Sequence, residues 1–188
     1  MKKLFSLLTV FITLFSLHAQ EMNSNQENSQ ERKNDILADP VLLIAIPLVN
    51  VSYERLISKD MGIGINAMIT LNDEVDDFKQ FSPYFRFYMG GNYASGFFLE
   101  GFVPVTIETV DTYGNYYDSP TNTYYYSNIG SKNLTTVGIG FGVGGKWVIK
   151  NRLVLEASGG IARRFGDFNK YDIGEVTGKI MGGIGYRF

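Results

Sequence analysis

Residues 135–149 read TTVGIGFGVGGKWVI, and this stretch decides the fold. Val137, Ile139, Phe141, Val143, Trp147 and Ile149 fall on one side of a period-two pattern; Gly138, Gly140, Gly142, Gly144 and Lys146 fall on the other. A period of two belongs to a β-strand, whose successive side chains point to opposite faces. The two faces therefore meet different surroundings, one apolar and one that accepts both glycine and a charge.

The same alternation recurs along the chain. In 49–57, Val49, Val51 and Tyr53 oppose Asn50, Ser52 and Glu54; in 62–71, Ile63, Ile65, Ala67, Ile69 and Leu71 oppose Gly62, Gly64, Asn66, Met68 and Thr70. In 82–89, Pro83, Phe85, Phe87 and Met89 oppose Ser82, Tyr84, Arg86 and Tyr88; in 97–107, Phe97, Leu99, Val103, Val105 and Ile107 oppose Phe98, Glu100, Phe102, Pro104 and Thr106. Segments 153–165 and 176–188 set Leu155, Ala157, Ile161, Ile180, Ile184, Tyr186 and Phe188 against Glu156, Ser158, Arg164, Lys179 and Arg187. That makes seven strands.

The connections supply an eighth. Links at 58–60, 90–95 and 150–152 are short, and those at 72–80, 108–133 and 166–175 are longer, in strict alternation. Tight turns at one end and long loops at the other describe an up-and-down membrane barrel, whose strand number is even. Residues 35–45 are read as the first strand, with Ile46, Pro47 and Leu48 forming the bend. Strands of about 10 residues at about 3.3 Å each, tilted near 45°, span roughly 23 Å, the height of an outer-membrane apolar band.

The N-terminus is an address. Lys2 and Lys3 precede the 14-residue run LFSLLTVFITLFSL (4–17), followed by His18, Ala19 and Gln20. A spanning helix needs about 20 apolar residues, so residues 1–19 are expected to be a secretory signal; the rival reading is a buried helix. Residues 20–34, polar apart from Met22, are expected to form a flexible periplasmic tail. The barrel domain is then 35–188.

Composition removes several function classes. There is no cysteine, and the one histidine, His18, leaves with the signal. Without histidine the usual acid–base, metal and serine-hydrolase arrangements are missing, so neither an enzyme nor a cofactor or metal site is expected. Loss of Lys2 and Lys3 leaves 15 basic against 19 acidic residues, with no patch for nucleic acid.

The rival to a membrane barrel is a soluble, lipocalin-like one. In that arrangement the enclosed face is apolar and the charges face water. The glycine-rich, charged face here suits an interior, while Tyr53, Phe97, Trp147, Tyr186 and Phe188 gather near strand ends on the apolar face, as in an interfacial girdle. The strings NVSYERLI (50–57), FSPYFRFYMGG (81–91), GFFLEGFVPV (96–105), GIGFGVGGKWVI (138–149) and GGIGYRF (182–188) resemble the small outer-membrane β-barrel proteins of Bacteroidetes, of OmpA/OmpX-like architecture. The resemblance covers 35–188. It implies an all-β fold, an eight-stranded antiparallel up-and-down transmembrane β-barrel in the outer membrane, and brings no catalytic motif. It also implies that Phe188, with Tyr186 two residues earlier, resembles the signal read by the barrel assembly machinery.

Three groups of residues are candidates for function. The inward face carries Glu54, Arg86, Glu100, Lys146, Glu156, Arg164, Lys179 and Arg187, read either as a salt-bridged core or as a narrow ion path. Glycines 138, 140, 142 and 144 are expected to make room for Tyr84, Tyr88, Phe98 and Phe102. The loop 108–133 holds Tyr113, Tyr116, Tyr117, Tyr124, Tyr125 and Tyr126, half of the twelve tyrosines, amid small polar residues. That is the composition of an adaptable recognition surface for an unknown partner; the plainer reading is a hairpin extended above the membrane. Arg55 and Arg163 fall on the lipid side near strand ends. Arg163 is placed to meet lipopolysaccharide phosphates, or is turned away by a bulge. Acids at 73, 74, 76 and 77 form a solvated run that lacks the spacing of a calcium loop. The functional expectation is a structural or surface-interaction role in the outer membrane, with porin-like passage of small solutes second.

Overall fold

The computed structural model describes residues 32–71, 78–118, 120, 123–166 and 174–188. The expected signal, the tail up to residue 31 and the acidic run at 73–77 lie outside them.

Among the described residues the strands are β1 (Asn34–Ala38), β2 (Leu48–Leu56), β3 (Met61–Thr70), β4 (Lys79–Tyr88), β5 (Gly96–Phe102), β6 (Val105–Asp118), β7 (Thr123–Ile149), β8 (Leu153–Phe165) and β9 (Val176–Arg187), with a short helix, α1 (Pro40–Ala45). All pairings are antiparallel, and β1 pairs with both β2 and β9, so the sheet closes. β5 and β6 form a single stave: both lie between β4 and β7 and are separated only by Val103 and Pro104. Pro104 has no N–H to give to the ladder, although its carbonyl still accepts from Gly138 N at 2.9 Å. Nine segments thus make eight staves, and the parity expected from the connections holds.

The first strand is shorter than its sequence suggests. Residues 35–45 do not form one strand: β1 stops at Ala38, and Asp39 and Pro40 start a helix. Asp39 Oδ1 accepts from Val41 N and Leu42 N at 3.0 Å, a helix N-cap, and proline fits the first helical position because its missing N–H is one the helix leaves unpaired there. The apolar run VLLIA carries no strand alternation to oppose this start signal.

Above Ala38, then, β2 and β9 have no strand between them. Two polar side chains fill in for the missing ladder. Asp39 Oδ2 accepts from Gly182 N at 2.7 Å, and Asn50 Nδ2 donates to Ile180 O at 2.7 Å and to Asp39 Oδ2 at 3.3 Å. α1 lies across the gap with Val41 and Ile44 exposed.

Burial is inverted relative to a soluble barrel. Phe141, Ile139, Ile161, Phe85 and Trp147 stand exposed on the outside, while Glu54, Arg86 and Lys146 are fully buried within. Glycine allows the inner packing. A Cβ at Gly144 would lie 2.5 Å from Phe98 Cζ, and one at Gly140 would lie 2.7 Å from Phe102 Cζ. Tyr84 instead packs over Gly64 on β3, and Gly138 faces Pro104.

The β6–β7 hairpin outgrows its neighbours. The β4–β6 ladder ends at Lys79↔Ile107 and the β7–β8 ladder at Val137↔Phe165, whereas β6 and β7 stay paired to Asp118↔Thr123. Eleven residues of β6 at about 3.3 Å each carry the ribbon roughly 35 Å past the rim. The register shifts between Thr112 and Tyr113, beside Gly130 at φ 143°, a backbone conformation that suits glycine.

Candidate functional site

Alternation delivers the eight inward charges of the sequence analysis to one interior, and seven of them form a single cluster. Arg86, on β4, is its hub. Its Nε donates to Glu100 at 2.6 Å, its Nη1 to Glu54 at 2.9 Å, and Nη1 and Nη2 to Glu156 at 2.7 and 2.6 Å. Its guanidinium carbon lies 4.4 Å from the Tyr84 ring centroid and 4.3 Å from that of Phe98. Tyr88 donates its hydroxyl to Glu54 Oε1 at 2.6 Å. Lys179 pairs with Glu100, and Lys146 with Glu54.

Two acids missed from the sequence complete the arrangement. Asp35, fully buried at the start of β1, accepts from Arg187 Nε at 2.7 Å and Nη2 at 2.9 Å, and from Lys146 Nζ at 3.1 Å. Glu108 reaches back to Arg164 Nη1 at 2.8 Å, so Arg164 belongs to a separate pair nearer the long-loop end. With Asp35 included, four carboxylates (Asp35, Glu54, Glu100, Glu156) face four cations (Arg86, Lys146, Lys179, Arg187), and the cluster is formally neutral. Buried charge is tolerated when it is paired, and each charged group of the cluster has an ion-pair partner. The parity of Asp35 within its strand was the available signal for it. Glu108 was hidden because its strand was expected to end at Ile107.

The cluster is closed at both ends. Towards the short turns, Arg187 Nη1 and Nη2 donate to the carbonyls of Tyr93 and Ala94 at 3.1 and 2.9 Å. Buried Ala94 joins Leu56, Tyr88 and Phe98, so the 89–95 turn folds in beneath the barrel. Towards the long loops, Gln80 of β4 crosses to β9: its Nε2 donates to Gly178 O at 3.1 Å, and its Oε1 accepts from Thr177 at 2.9 Å and Thr106 at 3.1 Å.

Over its described residues the tyrosine-rich segment is a β-ribbon, a hairpin extended past the neighbouring strands. The register sets Tyr116 opposite Tyr125 and Tyr117 opposite Tyr124, with Tyr113 opposite Asn128 and Tyr126 opposite Asn115. The rings of Tyr117 and Tyr124 lie 4.9 Å apart, tilted by 47°, and both side chains are exposed. Tyr186 and Phe188 point outward, and the Phe188 backbone exchanges bonds of 2.8 and 2.9 Å with Asn34 across the closing seam. Arg55 donates to Asn34 Oδ1 at 2.8 Å, and Arg163, on the outer face, pairs with Glu175 at 3.3 Å.

No protein-family model and no curated protein matches the chain. Two solved structures are similar in fold. The N-terminal β-barrel domain of Pseudomonas aeruginosa OprF aligns with a TM-score of 0.50 at 11% identity, over 84% of this chain and 96% of that one. Neisserial surface protein A (NspA) aligns with a TM-score of 0.40 at 12% identity, over 83% of this chain and 94% of that one. The chain is all-β, a closed antiparallel barrel of eight staves that matches outer-membrane barrel structures.

Proposed function

We propose that this chain is an integral outer-membrane protein, exported by its N-terminal signal, with a structural or surface-interaction role and a filled lumen. The observation that carries this reading is the inverted burial. Phe141 and Ile139 are 67% and 62% exposed on the outer wall, while Arg86, Lys146 and Glu54 are 0% exposed within it. A band of large apolar side chains around a whole barrel far exceeds the patch a soluble monomer tolerates, and hydrocarbon is the solvent that suits it. The long-loop end then faces the cell exterior, and the Tyr-rich ribbon is the part presented to a surface partner.

The filled lumen rests on the neutral, mutually bonded cluster and on Gln80, which spans the interior between β4 and β9. An ion crossing it must break several buried pairs, each costly to open. Membrane fractionation with a heat-modifiability gel tests location: the protein is expected in the outer-membrane fraction, and recovery as a soluble periplasmic protein overturns the reading. Planar-bilayer recording of the purified barrel tests the lumen; no steady conductance is expected, and ohmic single-channel steps favour a narrow porin-like pore instead.

A further inference from the structure

Charge at the short-turn rim is almost entirely of one sign. Arg32 and Lys33 precede β1, Arg55 lies near the end of β2, Lys59 sits in the β2–β3 turn, and Lys150 and Arg152 occupy the β7–β8 turn; Asp60 is the one acidic side chain among the described residues of these segments. Backbone bonds tie the segments into one rim. Leu56 N donates to Lys33 O at 2.8 Å, Ala94 N to Lys59 O at 2.8 Å and Arg187 N to Arg152 O at 2.7 Å, while Arg32 Nη1 donates to Asn151 O at 3.0 Å. Lys33, Lys59, Lys150 and Arg152 are exposed, and none forms an ion pair among the described residues. Among the described residues the opposite rim differs: Arg163 is paired with Glu175 and Arg164 with Glu108.

The cations are spread along an arc from β7 through β9 and β1 to the β2–β3 turn, and an exposed apolar belt runs beside them on the same staves. Trp147 (48% exposed), Tyr186 (44%) and Ile57 (56%) represent it on β7, on β9 and just past β2. A single docked acidic protein needs a contiguous patch on one side, whereas a lipid leaflet surrounds the barrel and meets the whole arc. Long Lys and Arg side chains beside an apolar belt reach the headgroup level while their stems stay among acyl chains.

We propose that this rim is a collar for anionic phospholipid: the belt takes the acyl chains and the cations take the phosphates of the leaflet facing the short turns. The inference rests on the membrane-spanning reading above. Each Lys or Arg held near an anionic surface raises its occupancy by about fivefold, and the effect weakens as salt screens it.

The folded full chain is inserted into vesicles of equimolar phosphatidylethanolamine and phosphatidylglycerol, and the lipid retained on extraction is counted by native mass spectrometry. The expected result is a severalfold enrichment of phosphatidylglycerol that falls as sodium chloride is raised. Combined Lys33→Gln, Lys59→Gln, Lys150→Gln and Arg152→Gln is expected to keep heat-modifiable folding and to return the retained lipid to the mixture ratio. A Lys59→Gln, Lys150→Gln pair, which perturbs folding less, is expected to give an intermediate ratio. Retention at the mixture ratio by the unaltered chain overturns the collar, and so does enrichment that survives both variants; an acidic protein as the true partner gives the first of these. Failure of the chain to insert at all overturns the membrane reading as well, which keeps the two failures distinct.

Discussion

Arg187, near the end of the last strand, grips Asp35, near the start of the first, with Nε 2.7 Å from Oδ1 and Nη2 2.9 Å from Oδ2. The pair is buried and sits where the barrel closes, so it joins the two termini of the fold as well as balancing charge. Asp35→Leu strips the guanidinium of its carboxylate, a change that costs about 3 to 5 kcal/mol when the partner stays buried. The urea midpoint of folding in detergent micelles is expected to drop accordingly. Adding Arg187→Met to Asp35→Leu is expected to recover most of the loss.

Arg86 is the second lever. Removing it leaves Glu54, Glu100 and Glu156 facing one another with only Lys146 and Lys179 to balance them. Arg86→Met is expected to abolish the heat-modifiable band in electrophoresis. A variant that still folds like the parent would show that the hub is dispensable.

Glycine placement makes a paired prediction. A Cβ at Gly144 meets Phe98 and Ser158 at 2.5 Å, whereas one at Gly159, on the outer wall, meets nothing within 4 Å. Gly144→Ala is expected to cost about 1 to 3 kcal/mol by overpacking, and Gly159→Ala close to nothing. Equilibrium unfolding of the two side by side decides it.

At the seam, Asp39 caps α1 and accepts the Gly182 N–H. Asp39→Ala loses the cap, worth about 1 kcal/mol, and takes the acceptor from the Gly182 N–H and from the buried Asn50 amide, at a further cost of about 1 to 3 kcal/mol. Amide exchange at Gly182, Val41 and Leu42 is expected to accelerate while the β7–β8 ladder stays protected.

Beyond Glu108 the hairpin pairs only with itself among the described residues. Deleting residues 113–126 is therefore expected to leave heat-modifiability unchanged and to abolish binding of any surface partner, scored by adhesion of whole cells to candidate ligands.

Strand identity and facing were legible in the chain itself, because period-two alternation is local: every strand assigned from 49 onward keeps its predicted inward and outward residues. Even the eighth stave followed from connection lengths. Two kinds of feature were not local and stayed hidden. One was continuation, since residues 108–118 and 123–134 are polar on both faces and lack alternation, so that a recognition loop and an extended hairpin both fitted them until their pairing was seen. The other was competition, since 35–45 has strand-like apolar content but is cut by Asp39 and Pro40, whose capping geometry outweighs composition.

By itself, then, the sequence determined that this protein is a barrel with apolar residues outside and charges inside, because side-chain parity is set by the backbone one residue at a time. Only the tertiary structure decided which charges meet. Glu54, Arg86, Lys146 and Glu156 lie on four different strands, and Asp35 and Arg187 are separated by nearly the whole chain. Closure of the sheet is what brings them together: it puts the first strand beside the last and turns eight separate faces into one interior, where the low-dielectric setting obliges each charge to find a partner.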